Sequence, residues 1–106
     1  MNTKEINDLN YKDVLNEKDT PMLIKFGANW CAPCRTMSPI IDELKNEHEN
    51  VGVYNVDVDE CPDLSSFFKV KNIPYFVFYK DGKVQTTSIG VVDKQSLKHK
   101  IESLTQ

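Results

Sequence analysis

Nowhere does the sequence hold an apolar run approaching the ~18 to 20 residues that cross a bilayer. Its opening residues, Met1-Asn2-Thr3-Lys4-Glu5-Ile6-Asn7-Asp8, contain no hydrophobic signal core. A membrane partner is therefore not expected, and the expected setting is the cytoplasm. Cysteine is scarce, with three residues in 106. A low, odd number argues against a disulfide-stapled secreted scaffold, which carries more of them and in pairs. A basic stripe is missing as well. Thirteen Lys and Arg against 16 Asp and Glu leave a net charge of -3, and the lysines are scattered singly, so the electrostatic footprint of a nucleic-acid binder is absent. Repeats, low-complexity segments and interdomain linkers are lacking too. What is present is a 106-residue chain with 40% hydrophobic content. That is enough for one core and too little for two ordinary domains, so residues 1–106 are expected to form a single domain and a monomer.

The few cysteines are placed as chemistry. Trp30-Cys31-Ala32-Pro33-Cys34 directly follows the apolar run Met22-Leu23-Ile24-Lys25-Phe26 and directly precedes a helix-patterned stretch. Two thiols thus stand where a strand hands over to a helix. A helix N-terminus offers unpaired N–H groups and the positive end of the macrodipole, both of which favour a thiolate. Cys31 is accordingly expected to be the nucleophile, with Cys34 close enough to close a disulfide ring and resolve a mixed disulfide. The same spacing also suits half of a zinc site. A second close pair is missing, and His48, His99 and Cys61 are dispersed, so no metal is expected.

Along the chain, Asn10 is expected to cap a short helix to Glu17 with Tyr11, Val14 and Leu15 inward, ended by Asp19-Thr20-Pro21. Met22 to Phe26, apolar without alternation, reads as a strand covered on both faces. Met37, Ile40, Ile41, Leu44 and His48 recur at helical spacing across Pro39. Val51 to Val58 supplies another buried strand, and Pro62 stands where a first helical turn begins, leading into Leu64, Phe67 and Phe68. Tyr75–Tyr79 and Val84–Ile89 form a hairpin turned by Asp81-Gly82. Asp93 then caps a helix whose inner face is Leu97, Ile101 and Leu104. Strand-helix-strand followed by a hairpin predicts an α/β fold, a mixed sheet with helices on both faces.

These residues together resemble the thioredoxin family: Trp-Cys-x-Pro-Cys, Val56-Asp57-Val58-Asp59, Ile73-Pro74 before a strand, Lys80-Asp81-Gly82-Lys83 and the later Gly90. The likeness covers nearly the whole chain. It implies the thioredoxin fold and dithiol-disulfide exchange with disulfide-containing protein substrates, carried by Cys31 and Cys34. It also implies a cis peptide bond before Pro74. The docking groove would be bordered by Trp30, Ala32, Pro33, Ile73, Pro74, Gly90 and Val91, with the Ile73 backbone pairing to an extended substrate segment. No bound cofactor is implied beyond the redox-active disulfide itself. Electrons would come from a separate reductase of the NADPH-dependent, flavin-containing kind.

Several positions depart from that family. Lys25 stands where the family usually buries an aspartate beneath the cysteines, and Asn55 where a lysine often accompanies it. A buried ammonium must shift its pKa downward, reach solvent along its stem, or find a carboxylate such as Asp57. Charged, Lys25 would favour thiolates and a more oxidising pair; neutral, it would act as a base for Cys34. Gly27 replaces a bulky residue, Ala32 a glycine, and Tyr75 a frequent threonine. Cys61, at the carboxyl end of the Val51–Val58 strand, reads as a small semi-buried residue, with a regulatory disulfide as the alternative. The expected function is reduction of protein disulfides. The rivals are an oxidant or isomerase of raised potential and a non-catalytic binding subunit.

Overall fold

A run apolar but for Lys25 makes Met22–Gly27 the centre of the sheet, and all six of its residues are buried. In the computed structural model, which describes residues 3–17 and 20–106 (3–5 as backbone), the elements run β1 Thr3–Glu5, α1 Tyr11–Leu15, β2 Met22–Gly27, α2 Ala32–Glu47, β3 Gly52–Asp57, α3 Pro62–Phe67, β4 Tyr75–Lys80, β5 Lys83–Ile89 and α4 Lys94–Leu104. The spatial strand order is β1-β3-β2-β4-β5. β1 and β2 both run parallel to β3, while β4 is antiparallel to β2 and β5 to β4. This is the mixed sheet expected from the sequence, extended by β1. The edge strand was not foreseen, because Thr3-Lys4-Glu5 has no apolar alternation to betray it.

Side-chain alternation along the strands builds a core on each face. Met22, Ile24 and Phe26 of β2 join Tyr54, Val56, Val77 and Tyr79 under Leu15 of α1 and Leu64 of α3. Leu23 joins Val53, Phe76 and Phe78 under Met37, Ile41 and Leu44 of α2 and Leu97, Ile101 and Leu104 of α4. Lys25 shares Leu23's parity and therefore points to the α2 side. The turn between β4 and β5 is Asp81-Gly82, with φ of 56° and 80°. Positive φ at both positions is the two-residue hairpin geometry that suits the twist of the flanking strands.

Local differences from the sequence expectation have local causes. α1 stops at Leu15, short of Glu17. Asn10 precedes it without capping it: its Oδ1 turns back to accept from Asn7 N at 2.8 Å, while Asn7 Oδ1 accepts from Asn10 N at 3.1 Å. Asp19, part of the expected helix breaker, lies outside the described residues. Phe67 is 54% exposed and packs on the rings of Tyr11 and Phe68. α2 continues through Pro39, and His48 follows as its C-cap with a ring nitrogen 3.0 Å from the Leu44 carbonyl.

Candidate active site

β2 ends at Gly27 and the chain crosses Ala28-Asn29-Trp30 to start α2, so the strand's carboxyl end and the helix's amino end meet at the cysteines. Cys31 is the N-cap of the 16-residue α2, in extended geometry, and its Sγ accepts from the Cys34 backbone N–H at 3.2 Å. A sulfur seated there receives an orphan helix donor and the positive end of the dipole, the setting that stabilises a thiolate. Pro33 occupies the first helical turn, where its missing N–H costs no helix hydrogen bond. Cys31 and Cys34 are joined as a disulfide with Cα atoms 5.3 Å apart. Both are almost fully buried, while Ala32, Pro33 and Trp30 beside them are exposed.

The rim is held by polar contacts. The Trp30 indole N–H donates to Asp59 Oδ2 at 2.7 Å, and Asp59 is itself steadied by its backbone N–H donating to Asp57 Oδ1 at 2.8 Å. Arg35 donates to the Asn29 carbonyl at 2.7 Å. The Ile73–Pro74 bond is cis, as the resemblance implies. Pro74 is buried and Ile73 half-buried, and the Pro74 carbonyl accepts from Gly90 N at 2.8 Å. Gly90 sits at φ +80°, a region that disfavours side chains, and Val91 after it is 58% exposed.

Behind the disulfide lies a cleft of about 750 Å³ that brings together Lys25, Gly27, Cys34, Asn55, Asp57 and Cys61. Cys34 reaches it and Cys31 does not. Lys25 is only 7% exposed. Its Nζ donates to the Cys34 carbonyl at 3.1 Å and to Ser38 Oγ at 2.9 Å, and Ser38 Oγ in turn donates to the Cys34 carbonyl at 3.3 Å. Desolvation pushes the Lys25 pKa below its ordinary value, opposed by the field of Asp42. The carboxylate acting on Lys25 is thus Asp42 of α2, not the Asp57 that the sequence nominated. Asp57 lies two residues beyond Asn55, the cross-strand neighbour of Lys25, and its Oδ1 accepts from Asp59 N.

Cys61 is a free, buried thiol. Burial pushes its pKa up, with Asp8, Glu60 and Asp57 adding to the rise. A thiol held protonated is a poor nucleophile, so the geometry favours its packing role over a regulatory one. Among the described residues, no three His, Cys, Asp or Glu converge to hold a metal ion. Ser38 and Asp42 escaped the sequence reading. The signal for Ser38 was its position four residues after Cys34, which places it on the same helix face.

Comparison with known proteins yields consistent relatives. A family model described as Thioredoxin matches residues 2–103. The chain is 34% identical over 100 residues to a chloroplastic M-type thioredoxin of Spinacia oleracea, covering 93% of this chain and 55% of that one. It is 37% identical over 93 residues to a thioredoxin of Rickettsia typhi, covering 87% and 89%. Against such chloroplastic relatives the chain spans little more than half of their length. Among solved structures, oxidised mitochondrial thioredoxin 3 of Saccharomyces cerevisiae superposes with a TM-score of 0.88 at 29% identity, covering 96% of this chain and 95% of that one.

Proposed function

The chain belongs to the thioredoxin family, and on that premise we propose that it reduces protein disulfides by dithiol-disulfide exchange. The observation that carries the reading is Cys31 Sγ as the N-cap of α2, bonded to Cys34. In the reduced protein the Cys31 thiolate attacks one sulfur of a substrate disulfide. The substrate S–S bond breaks, one substrate thiolate leaves, and a mixed disulfide forms. Cys34, losing its proton, then attacks Cys31 Sγ and expels the second substrate thiolate. Two electrons pass to the substrate, whose two thiolates take up the proton released by Cys34 and one from solvent, and the Cys31–Cys34 disulfide remains. A separate reductase of the thioredoxin-reductase type restores the dithiol, and the protein needs no bound cofactor of its own.

The substrate segment docks in extended form along the Ile73 backbone, between exposed Trp30, Ala32 and Pro33 on one side and Gly90-Val91 on the other. Such backbone pairing gives modest affinity and broad choice of partner. The protein acts as a cytoplasmic monomer; the scarcity of cysteine supports a reducing compartment.

The test is insulin reduction coupled to NADPH and a thioredoxin reductase. Wild type should turn over, Cys31→Ser should abolish turnover, and Cys34→Ser should stall at a trapped mixed disulfide. Full function in both variants would instead identify a binding module.

A further inference from the structure

Lys25 is the residue that the exchange reaction above leaves without a role. It is buried on the helix-facing side of the central strand, and its ammonium is anchored at 3.1 Å on the carbonyl of the resolving cysteine itself. Between it and the Cys34 sulfur stands Gly27. A Cβ there would lie 3.2 Å from Cys34 Sγ and 4.0 Å from Lys25 Cε. The Cα of Gly27 therefore faces both groups, and the absent side chain leaves them sharing one cleft instead of being walled apart. A polar, roomy cleft of this kind admits water, which carries a cation's field without fully quenching it.

Resting on the exchange reading, we infer that Lys25 is a positioning residue for the resolving step: its ammonium favours the Cys34 thiolate across the gap that Gly27 keeps open. In the resolving step the Cys34 S–H proton passes to solvent in the cleft. The sulfur left behind carries a negative charge until it bonds to Cys31, and Lys25 stabilises that charge. The same attraction stabilises the reduced protein relative to the disulfide, so the pair is more oxidising than it would be without the lysine. The other charged and titratable groups around the cleft do not duplicate this role. Asp42 on α2 acts on Lys25 itself. Arg35 is turned to the Asn29 carbonyl, and Asp57 is bonded to Asp59 N. Asp8 binds the amino end of α3, and Glu60 acts on Cys61, the residue that precedes that helix.

The test is reciprocal and needs no mutation for its first arm. Lys25 is titrated by NMR of its Cε and Nζ in the oxidised and in the reduced full-length protein. Coupling requires a higher Lys25 pKa in the reduced form, by the amount that Cys34 is lowered. An identical Lys25 titration in both forms overturns the inference. In the second arm, the equilibrium with glutathione is measured from pH 5 to pH 8 for wild type, Lys25→Met and Lys25→Arg. Lys25→Met should shift it at least threefold toward the disulfide at pH 8, about 14 mV at 29.6 mV per tenfold, and hardly at all at pH 5. Lys25→Arg should follow wild type. A shift that is equal at both pH values marks a merely structural role and also overturns the inference. Insulin reduction by the wild type runs alongside: its absence strikes the exchange reading itself, whereas its presence with an uncoupled Lys25 strikes this inference alone.

Discussion

Lys25 occupies a position where its neighbour of the same parity, Leu23, is wholly buried, and its ammonium is held by one carbonyl and one hydroxyl. Two neutral acceptors do not replace a hydration shell, so the residue costs stability in proportion to its charge. Lys25→Met, which keeps the stem and removes the charge, should raise unfolding free energy by about 1 kcal/mol at pH 7. The pH sign follows from the lowered pKa. Below that lowered value the folded protein carries the full penalty, which falls as pH rises through it and vanishes only above the ordinary value of 10.5, where the amine is neutral in both states. Urea midpoints at the two ends should therefore show a gain at pH 7 that shrinks toward pH 10.5; a loss at pH 7 would contradict the account. Cys61 makes the opposite case, an uncharged thiol that burial protects. In the oxidised protein a thiol reagent should label no cysteine natively at pH 7 and Cys61 alone after unfolding in urea.

The short helix α3 shows what holds an element that its own residues do not. Cys61 is its N-cap but makes no side-chain cap bond. Asp8, from the loop after β1, supplies the acceptors instead: Oδ1 takes Leu64 N at 2.8 Å and Oδ2 takes Asp63 N at 3.1 Å. Asp8→Ala should cost about 1 kcal/mol, as helix caps do, and lower Tm by about 4 °C. A thermal melt that does not move would mean that solvent replaces Asp8 without loss. The contrast with α4 explains which parts of the fold could be read in advance. Asp93 accepts from Ser96 only three residues on, so its cap was legible in the sequence. So were the Asp81-Gly82 turn and the Cys31-Cys34 pair, because each is written in contiguous residues. The Asp8 cap joins residues more than 50 apart, and the partners of Lys25 come from a helix laid across its strand. Contacts of that kind depend on packing, which no local pattern encodes. β1 stayed hidden for a related reason: its place is set by pairing with β3, not by its own composition.

At the scale of the whole molecule, the core under α1 and α3 buries acids that are neutral at pH 7. Tyr54, Tyr79 and Cys61 are 2%, 7% and 5% exposed, and burial is the largest cause of a raised pKa in each. Acid groups shifted upward bind their protons more tightly in the folded state, so unfolding releases protons at high pH. Their contribution is complete below the ordinary values of 9.0 for the thiol and 10.0 for the phenols, and it is lost as pH rises past them. Lys25 pulls the other way, but it is one group against three. Deprotonation of surface lysines also deepens a net charge that is already -3, adding self-repulsion. The acid side is shallower: Glu47 and Asp93 have lowered pKa values through Lys94 and Ser96, yet both are at the surface, where solvent screening leaves such pairs little weight. Stability should therefore hold level from about pH 6 to pH 9 and then fall. Urea midpoints of the oxidised protein at pH 7, 9 and 10.5 would trace this curve. Tyr54→Phe and Tyr79→Phe together should flatten its alkaline limb, since a ring without a hydroxyl has no proton to release on unfolding. A midpoint that stays constant or climbs to pH 10.5 would mean that Lys25 outweighs all three buried acids, and would overturn the assignment of the alkaline limb to that core.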